Sequence, residues 1–186
     1  MSSFRIKPLG IKDVLHIRPK IHIDNRGLFF ELFKKSDFAF LDKFVFVQDN
    51  VSVSNKDVIR GLHFQRSPKA QGKLITVLKG RIFDVAVDIR PKSSTFGKYV
   101  SCFIDSVNYE SIYIPEGFAH GFCAMEDDTI IMYKNTTEYS KEREMGIFWN
   151  DPILGIEWPC KKPILSDKDK ALPLFSEISE DILGDL

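Results

Sequence analysis

"KLITVLKGRIFDVAVDIR" occupies residues 73–90. Two apolar, β-branched runs flank Lys79-Gly80, a pattern that reads as two strands joined in a hairpin. Side chains alternate across an extended chain, so Phe83, Val85, Val87 and Ile89 share one face of the second run. Asp84, Ala86 and Asp88 share the other. A face carrying two carboxylates is built to meet polar partners. Alternation alone leaves open which face points inward.

The same texture continues outward in both directions. "VFVQDNVSVS" (45–54) precedes this stretch, and "KYVSCFI" (98–104), "SIYI" (111–114), "HGFCAM" (120–125) and "TIIMYKNTT" (129–137) follow it. Turn signals such as Pro115-Glu116-Gly117 and Glu126-Asp127-Asp128 separate these runs. Many short strands at regular spacing imply a mainly β sandwich or closed barrel, the jelly roll among them, with a mouth where a small ligand binds. Helical pattern is scarce. Ser36 is a candidate cap for a short helix through "DFAFLDKF", and the tail "SEISEDILGDL" is a second candidate.

The chain has 186 residues, which fits a single domain with no linker or repeat. Lys+Arg and Asp+Glu number 26 each, so net charge is zero and a general nucleic-acid or anionic-membrane surface is disfavoured. Sixteen phenylalanines point to an aromatic-rich core. Cys102, Cys123 and Cys160 form no CxxC pair, which disfavours a disulfide framework or thiolate zinc site and reads as incidental thiols in a reducing compartment. The start, "MSSFRIKPLG", has no apolar leader core, and no apolar run is long enough to span a bilayer. The expectation is a soluble cytoplasmic protein.

Four histidines divide into two kinds. His16 and His22 have no ligand spacing and read as exposed or locally paired. His63, in "IRGLHFQ" (59–65), and His120, in "IPEGFAHGF" (114–122), sit on strand-like runs beside glycines and aromatics, and point to a shared site. "PEGFAH" (115–120) looks like the second metal motif of the cupins, P-x-G-x-x-H. The first motif needs His-x-His, and here it reads His63-Phe64-Gln65. Two imidazoles fall short of the three protein ligands of a catalytic zinc or iron site, which leaves the histidines for acid–base work. A histidine base needs a carboxylate to fix its tautomer. Asp84, Asp88 and Asp169 are all candidates by residue type. Tyr133 by residue type reads as core packing with one hydroxyl hydrogen bond.

Taken together, these stretches resemble the dTDP-4-dehydrorhamnose 3,5-epimerase family. The likeness runs from "DNRGLFFELF" (24–33) through "FVQDNVSVS" (46–54), "IRGLHFQ", "QGKLITVLKGRIFDVAVDIR" (71–90), "STFGKYV" (94–100), "YIPEGFAHGF" (113–122), "YKNTTEY" (133–139) and "GIFWNDPILGIEWP" (146–159) to "LSDKDK" (165–170). The resemblance implies a cupin-type jelly roll with a core at about 45–140, an amino-terminal arm at about 1–44 and a carboxy-terminal segment at about 141–186 packed back on the barrel. It implies a homodimer, no cofactor or metal, and a dTDP-4-keto-6-deoxyhexose substrate epimerised at C3 and C5. His63 matches the general base, Asp169 its carboxylate, Tyr133 the acid on the opposite face and Lys73 the cation at the C4 oxygen. Gln48, Asn50, Arg60, His120, Tyr139 and Lys168 match substrate-binding positions. Arg26, Phe29 and Glu31 match an arm reaching the partner's site. The competing readings are a monoepimerase of another deoxysugar pathway, a metal-dependent cupin, and a non-catalytic nucleotide-sugar-binding barrel.

Overall fold

The computed structural model describes residues 2–41 and 45–178. One sheet has six strands, in the order β1 (Phe4–Pro8), β2 (Leu15–Pro19), β10 (Ser111–Ile114), β7 (Lys73–Lys79), β12 (Thr129–Asn135) and β5 (Gln48–Ser54). The second has five, in the order β13 (Glu144–Gly146), β6 (Ile59–Gln65), β11 (Phe118–Ala124), β8 (Arg81–Asp88) and β9 (Tyr99–Asp105). β3 (His22–Asp24) and β4 (Gly27–Phe29) form a separate, exposed hairpin. The amino-terminal stretch thus supplies two strands to the larger sheet as well as this projection.

The two large sheets face each other. Ile75, Val77 and Ile131 from the first pack against Ile82, Ala86, Ile104, Phe118 and Phe122 from the second. Full burial of each such aliphatic or aromatic side chain contributes about 1.5–3 kcal/mol. This is the jelly roll implied by the short, evenly spaced strands. The turn at Lys79-Gly80 corrects one expectation. β7 pairs with β10 and β12, whereas β8 pairs with β11 and β9, so the two runs are not a hairpin. The chain turns a corner there from one sheet into the other. Gly80 has φ +81°, and a Cβ would lie 2.5 Å from the Thr129 hydroxyl oxygen. A tight turn reverses the chain, but burying an inward face on each strand decides which sheet each joins.

A second core lies on the outer face of the five-stranded sheet. Phe83, Val85, Val87 and Ile89 of the β8 run, with Ile59, Leu62 and Phe64 of β6, are covered by Ile147, Leu154, Ile156 and Ile178. Residues between 147 and 178 therefore cover this face of the sheet. Cys123 and Cys160 meet in this layer, where the thiols are free and 3.2 Å apart. The stretch following Ser36 is a kinked 3-10 helix, Lys35–Leu41. Of the tail, a 3-10 turn at Phe175–Glu177 is present, and residues 179–186 lie outside the described residues. His16 pairs with Glu110 at 3.4 Å, and His22 is exposed. Among the described residues no helix is long and apolar enough to cross a membrane.

Candidate active site

Between the two sheets lies a cavity of about 340 Å³. Its wall from the five-stranded sheet comes from β6 and β11. Gly61 in β6 has φ +124°, and a Cβ there would stand 2.6 Å from the Gly121 Cα and the His120 carbonyl oxygen. A Cβ on Gly121 would in turn lie 2.9 Å from the Arg60 carbonyl oxygen. The strands approach so closely that neither Gly61 nor Gly121 has room for a side chain. His120 pairs with His63 and Phe122 with Arg60, so two steps along β11 span three along β6. This bulge turns Arg60 and His63, three residues apart, to the same side. Both line the cavity with His120 and Phe122.

The facing wall comes from β5, β7 and β12. Asn50, Ser52, Lys73, Tyr133 and Asn135 line it. Most are spaced by two along their strands, as a shared face requires. The Tyr133 phenol is hydrogen-bonded to the Ser52 hydroxyl at 3.1 Å. Desolvation pushes that phenol up to about 12, against the Ser52 bond and the Arg60 charge. It is therefore a protonated donor at neutral pH. Desolvation pulls the Lys73 ammonium down to about 8, partly opposed by Glu144. Lys73 donates to the Gln71 side-chain oxygen.

The third contributor is the carboxy-terminal segment, through a one-turn helix, α1 (Asp167–Lys170). Ser166 caps it by accepting the Asp169 amide at 3.1 Å. The Asp169 carboxylate, 5% exposed, sits 2.6 Å from His63 Nε2. Burial opposes its ionisation. The His63 bond and charge, the Ser166 hydroxyl and the Gly61 amide outweigh burial and hold it below the usual carboxylate range. Of the three candidate partners for the base, this one makes the contact. Asp84 instead bonds His120 at 2.8 Å. Asp88 bonds Arg90, Ser93 and Thr95. The polar face of β8 does meet polar partners, and it points inward.

His63, Asp169, Tyr133, Lys73, Asn50, Arg60, His120 and Lys168 all line the cavity. Gln48 and Tyr139 sit at its edge, where the Gln48 side-chain oxygen accepts the Tyr139 amide at 2.8 Å. Tyr139 also donates to Glu144 at 2.6 Å. Arg26 and Phe29 are elsewhere, on the β3–β4 hairpin, where Arg26 pairs with Asp24 at 2.6 Å. Glu31 accepts from Ser3.

Ser52, Gln71, Phe122, Asn135, Glu144 and Ser166 also line the cavity and were not singled out by sequence. The first four stand two residues from Asn50, Lys73, His120 and Tyr133, so alternation carried their signal. Glu144 holds Lys168 at 2.6 Å, and burial of its carboxyl is outweighed by the Lys168 and Tyr139 bonds, which lower its pKa. Nothing in the spacing around Glu144 or Ser166 marks them.

The arrangement sets an imidazole–carboxylate pair on one wall and a phenol on the other, with an ammonium on the neighbouring strand of the phenol's wall. It can remove a proton from one face of a bound carbon acid, hold the resulting oxyanion, and return a proton from the other face. Residues 8–177 match the family profile described as dTDP-4-dehydrorhamnose 3,5-epimerase. The dTDP-4-dehydrorhamnose 3,5-epimerase of Shigella flexneri is 51% identical over 161 residues, 86% of this chain and 89% of that one. Its counterpart from Salmonella typhimurium is 49% identical over 171 residues, 90% of this chain and 93% of that one. The crystal structure of the dTDP-6-deoxy-D-glucose-3,5-epimerase from Legionella pneumophila, in complex with dTDP-4-keto-L-rhamnose, superposes with a TM-score of 0.93 at 42% identity, covering 98% of each chain.

Proposed function

The chain belongs to the dTDP-4-dehydrorhamnose 3,5-epimerase family, and from that membership we propose that it converts dTDP-4-dehydro-6-deoxy-D-glucose to dTDP-4-dehydro-L-rhamnose in dTDP-L-rhamnose biosynthesis. The observation that carries this reading is the opposition of His63 and Tyr133 across one cavity, each on its own sheet. Hydrogens at C3 and C5 are acidic because each flanks the C4 ketone, whose oxygen takes the charge of the carbanion. His63, oriented by Asp169, takes one of these protons. The electron pair moves onto the C4 oxygen, and the Lys73 ammonium meets it. The pair then returns to carbon, which takes a proton from the Tyr133 hydroxyl on the opposite face. The centre inverts. Proton exchange with solvent restores both residues for the second centre.

Arg60 and Lys168 are cations suited to sugar or diphosphate oxygens. Gln48, Asn50 and Tyr139 lie on the side assigned to the nucleotide. The reading includes a homodimer. It is supported by the exposed Val51 and Val53 on the edge strand β5, and by the exposed Ile23, Leu28 and Phe29 of the hairpin. A second copy would cover these apolar groups, and Arg26, Phe29 and Glu31 would then serve the partner's cavity. The nucleotide-linked substrate supports a cytoplasmic setting.

Incubation with dTDP-4-keto-6-deoxyglucose in deuterated water should place deuterium at both C3 and C5, read by NMR. Absence of exchange with authenticated substrate rejects the epimerase. A single inverted, labelled centre instead identifies a monoepimerase. Sedimentation should give a dimer; a monomer with full turnover removes the arm from the site.

A further inference from the structure

The cavity holds a second histidine–carboxylate pair that the proton transfers above do not use. His120 is 5% exposed and Asp84 fully buried, with Nε2 and Oδ2 2.8 Å apart. The pair is diagonal across β11 and β8: Phe122 stands opposite Asp84, and the small Ala86 stands opposite His120. Asp84 Oδ1 is buried with no hydrogen-bond partner. Among the described residues His120 is the one ion-pair partner of Asp84.

Charge neutrality restricts the protons here. A carboxylate out of water, with one oxygen unpartnered, is strongly destabilised unless its charge is matched. Two arrangements match it, an imidazolium beside a carboxylate or a neutral imidazole beside a carboxylic acid. Both put one proton between Nε2 and Oδ2 and a second on Nδ1. The His120 ring lines the cavity, and its Nδ1 forms no hydrogen bond within the described residues. His120 therefore offers the ligand a donor, not a lone pair.

The register places that donor beside the base. His120 and His63 are direct cross-strand neighbours, so donor and base share one wall, about 5 Å apart at the backbone. In a 4-ketohexose the C4 oxygen is two bonds from either acidic carbon. A group beside the base is within reach of that oxygen while the base reaches the proton. Lys73 approaches from the facing sheet.

We propose that Asp84 is a positioning residue that holds His120 as an Nδ1–H donor to the C4 oxygen, so that the enolate forms between two donors, Lys73 and His120. This rests on the epimerase reading and deepens it. A donor aimed at the developing oxyanion stabilises the transition state more than bound substrate, whereas a grip on a hydroxyl stabilises both equally.

NMR of the ¹⁵N-histidine-labelled, dTDP-bound wild-type protein provides one arm of the test. It should show hydrogen on both nitrogens of His120, and a bare Nδ1 overturns the proposal. In the second arm, Asp84→Asn removes the charge while keeping an acceptor for Nε2–H. His120 should then lose the Nδ1 hydrogen while the His63 signals stay in place, and kcat should fall roughly 10²-fold with KM little changed. A raised KM with unchanged kcat would instead assign His120 to ground-state binding and overturn the proposal. The wild-type spectrum remains decisive should the variant not fold. Failure of wild-type turnover would refute the epimerase reading, whereas wild-type turnover with Asp84→Asn at full kcat would refute only this inference.

Discussion

On β8, Phe83, Val85 and Val87 point away from the facing sheet into the outer apolar layer, while Asp84, Ala86 and Asp88 point between the sheets. One strand thus serves two environments with a two-residue period. The outer face is closed by residues from 147 to 178, including Trp158, which meets Phe83 edge-on at 5.9 Å between ring centroids. The inner face is left partly open as the cavity. The two are linked through the chain. The segment that covers the apolar face also carries α1, and α1 delivers Asp169 to His63 on the polar face. Burial on one side of the sheet thereby completes an imidazole–carboxylate pair on the other. The outer layer contributes stability. The inner layer also packs apolar side chains between the sheets, but around the cavity its buried charges need matched partners and are poorly suited to add stability.

This division can be broken from either side. The largest effect should come from His63→Asn, which leaves the outer layer intact: kcat falls about 10²–10⁴-fold with the melting temperature near that of wild type. A large loss of stability in that variant would show that the two faces are not separable. Asp169→Asn should cost about 10²-fold or more in kcat, because the imidazole loses the partner that fixes its tautomer. Cutting the outer face instead, Leu154→Ala should destabilise by about 2–5 kcal/mol in urea unfolding, with the folded enzyme's kcat close to wild type. A matching loss of kcat would mean that the cover also tunes the site.

A pH profile sharpens the inner half. Lys73, pulled down to about 8 by desolvation, is charged below that pH and neutral above it. Turnover should therefore decline as pH rises through about 8, and Lys73→Arg should move that limb upward because guanidinium stays protonated. An unmoved limb assigns it to another group. The smallest effect belongs to Tyr139→Phe at the cavity edge. It deletes the hydroxyl bond to Glu144 but keeps the ring, so KM should change by no more than a few-fold.

The strands were legible because alternation is a local property. "SIYI" coincides with β10, and "TIIMYKNTT" overlaps β12 along its whole length. Glycine beside His63 and His120 was visible, but its cause, backbones too close for a Cβ, was not. Lys79-Gly80 showed a reversal without showing that it crosses between sheets. Asp169 lies 106 residues beyond His63, so no spacing rule joins them, and only the family likeness favoured it over Asp84 and Asp88. The role of Glu144 in holding Lys168 and Tyr139 left no sequence signal, because its partners lie in other parts of the chain.

By itself, the sequence determined where strands run, which residues share a strand face, and which side chains are equipped for proton transfer. Each of these follows from neighbours a few residues apart. The tertiary structure decided which strands pair, which face of β8 points inward, and which carboxylate serves which histidine. Those outcomes minimise exposed apolar area and unmatched buried charge summed over the whole chain, a balance that no single segment contains.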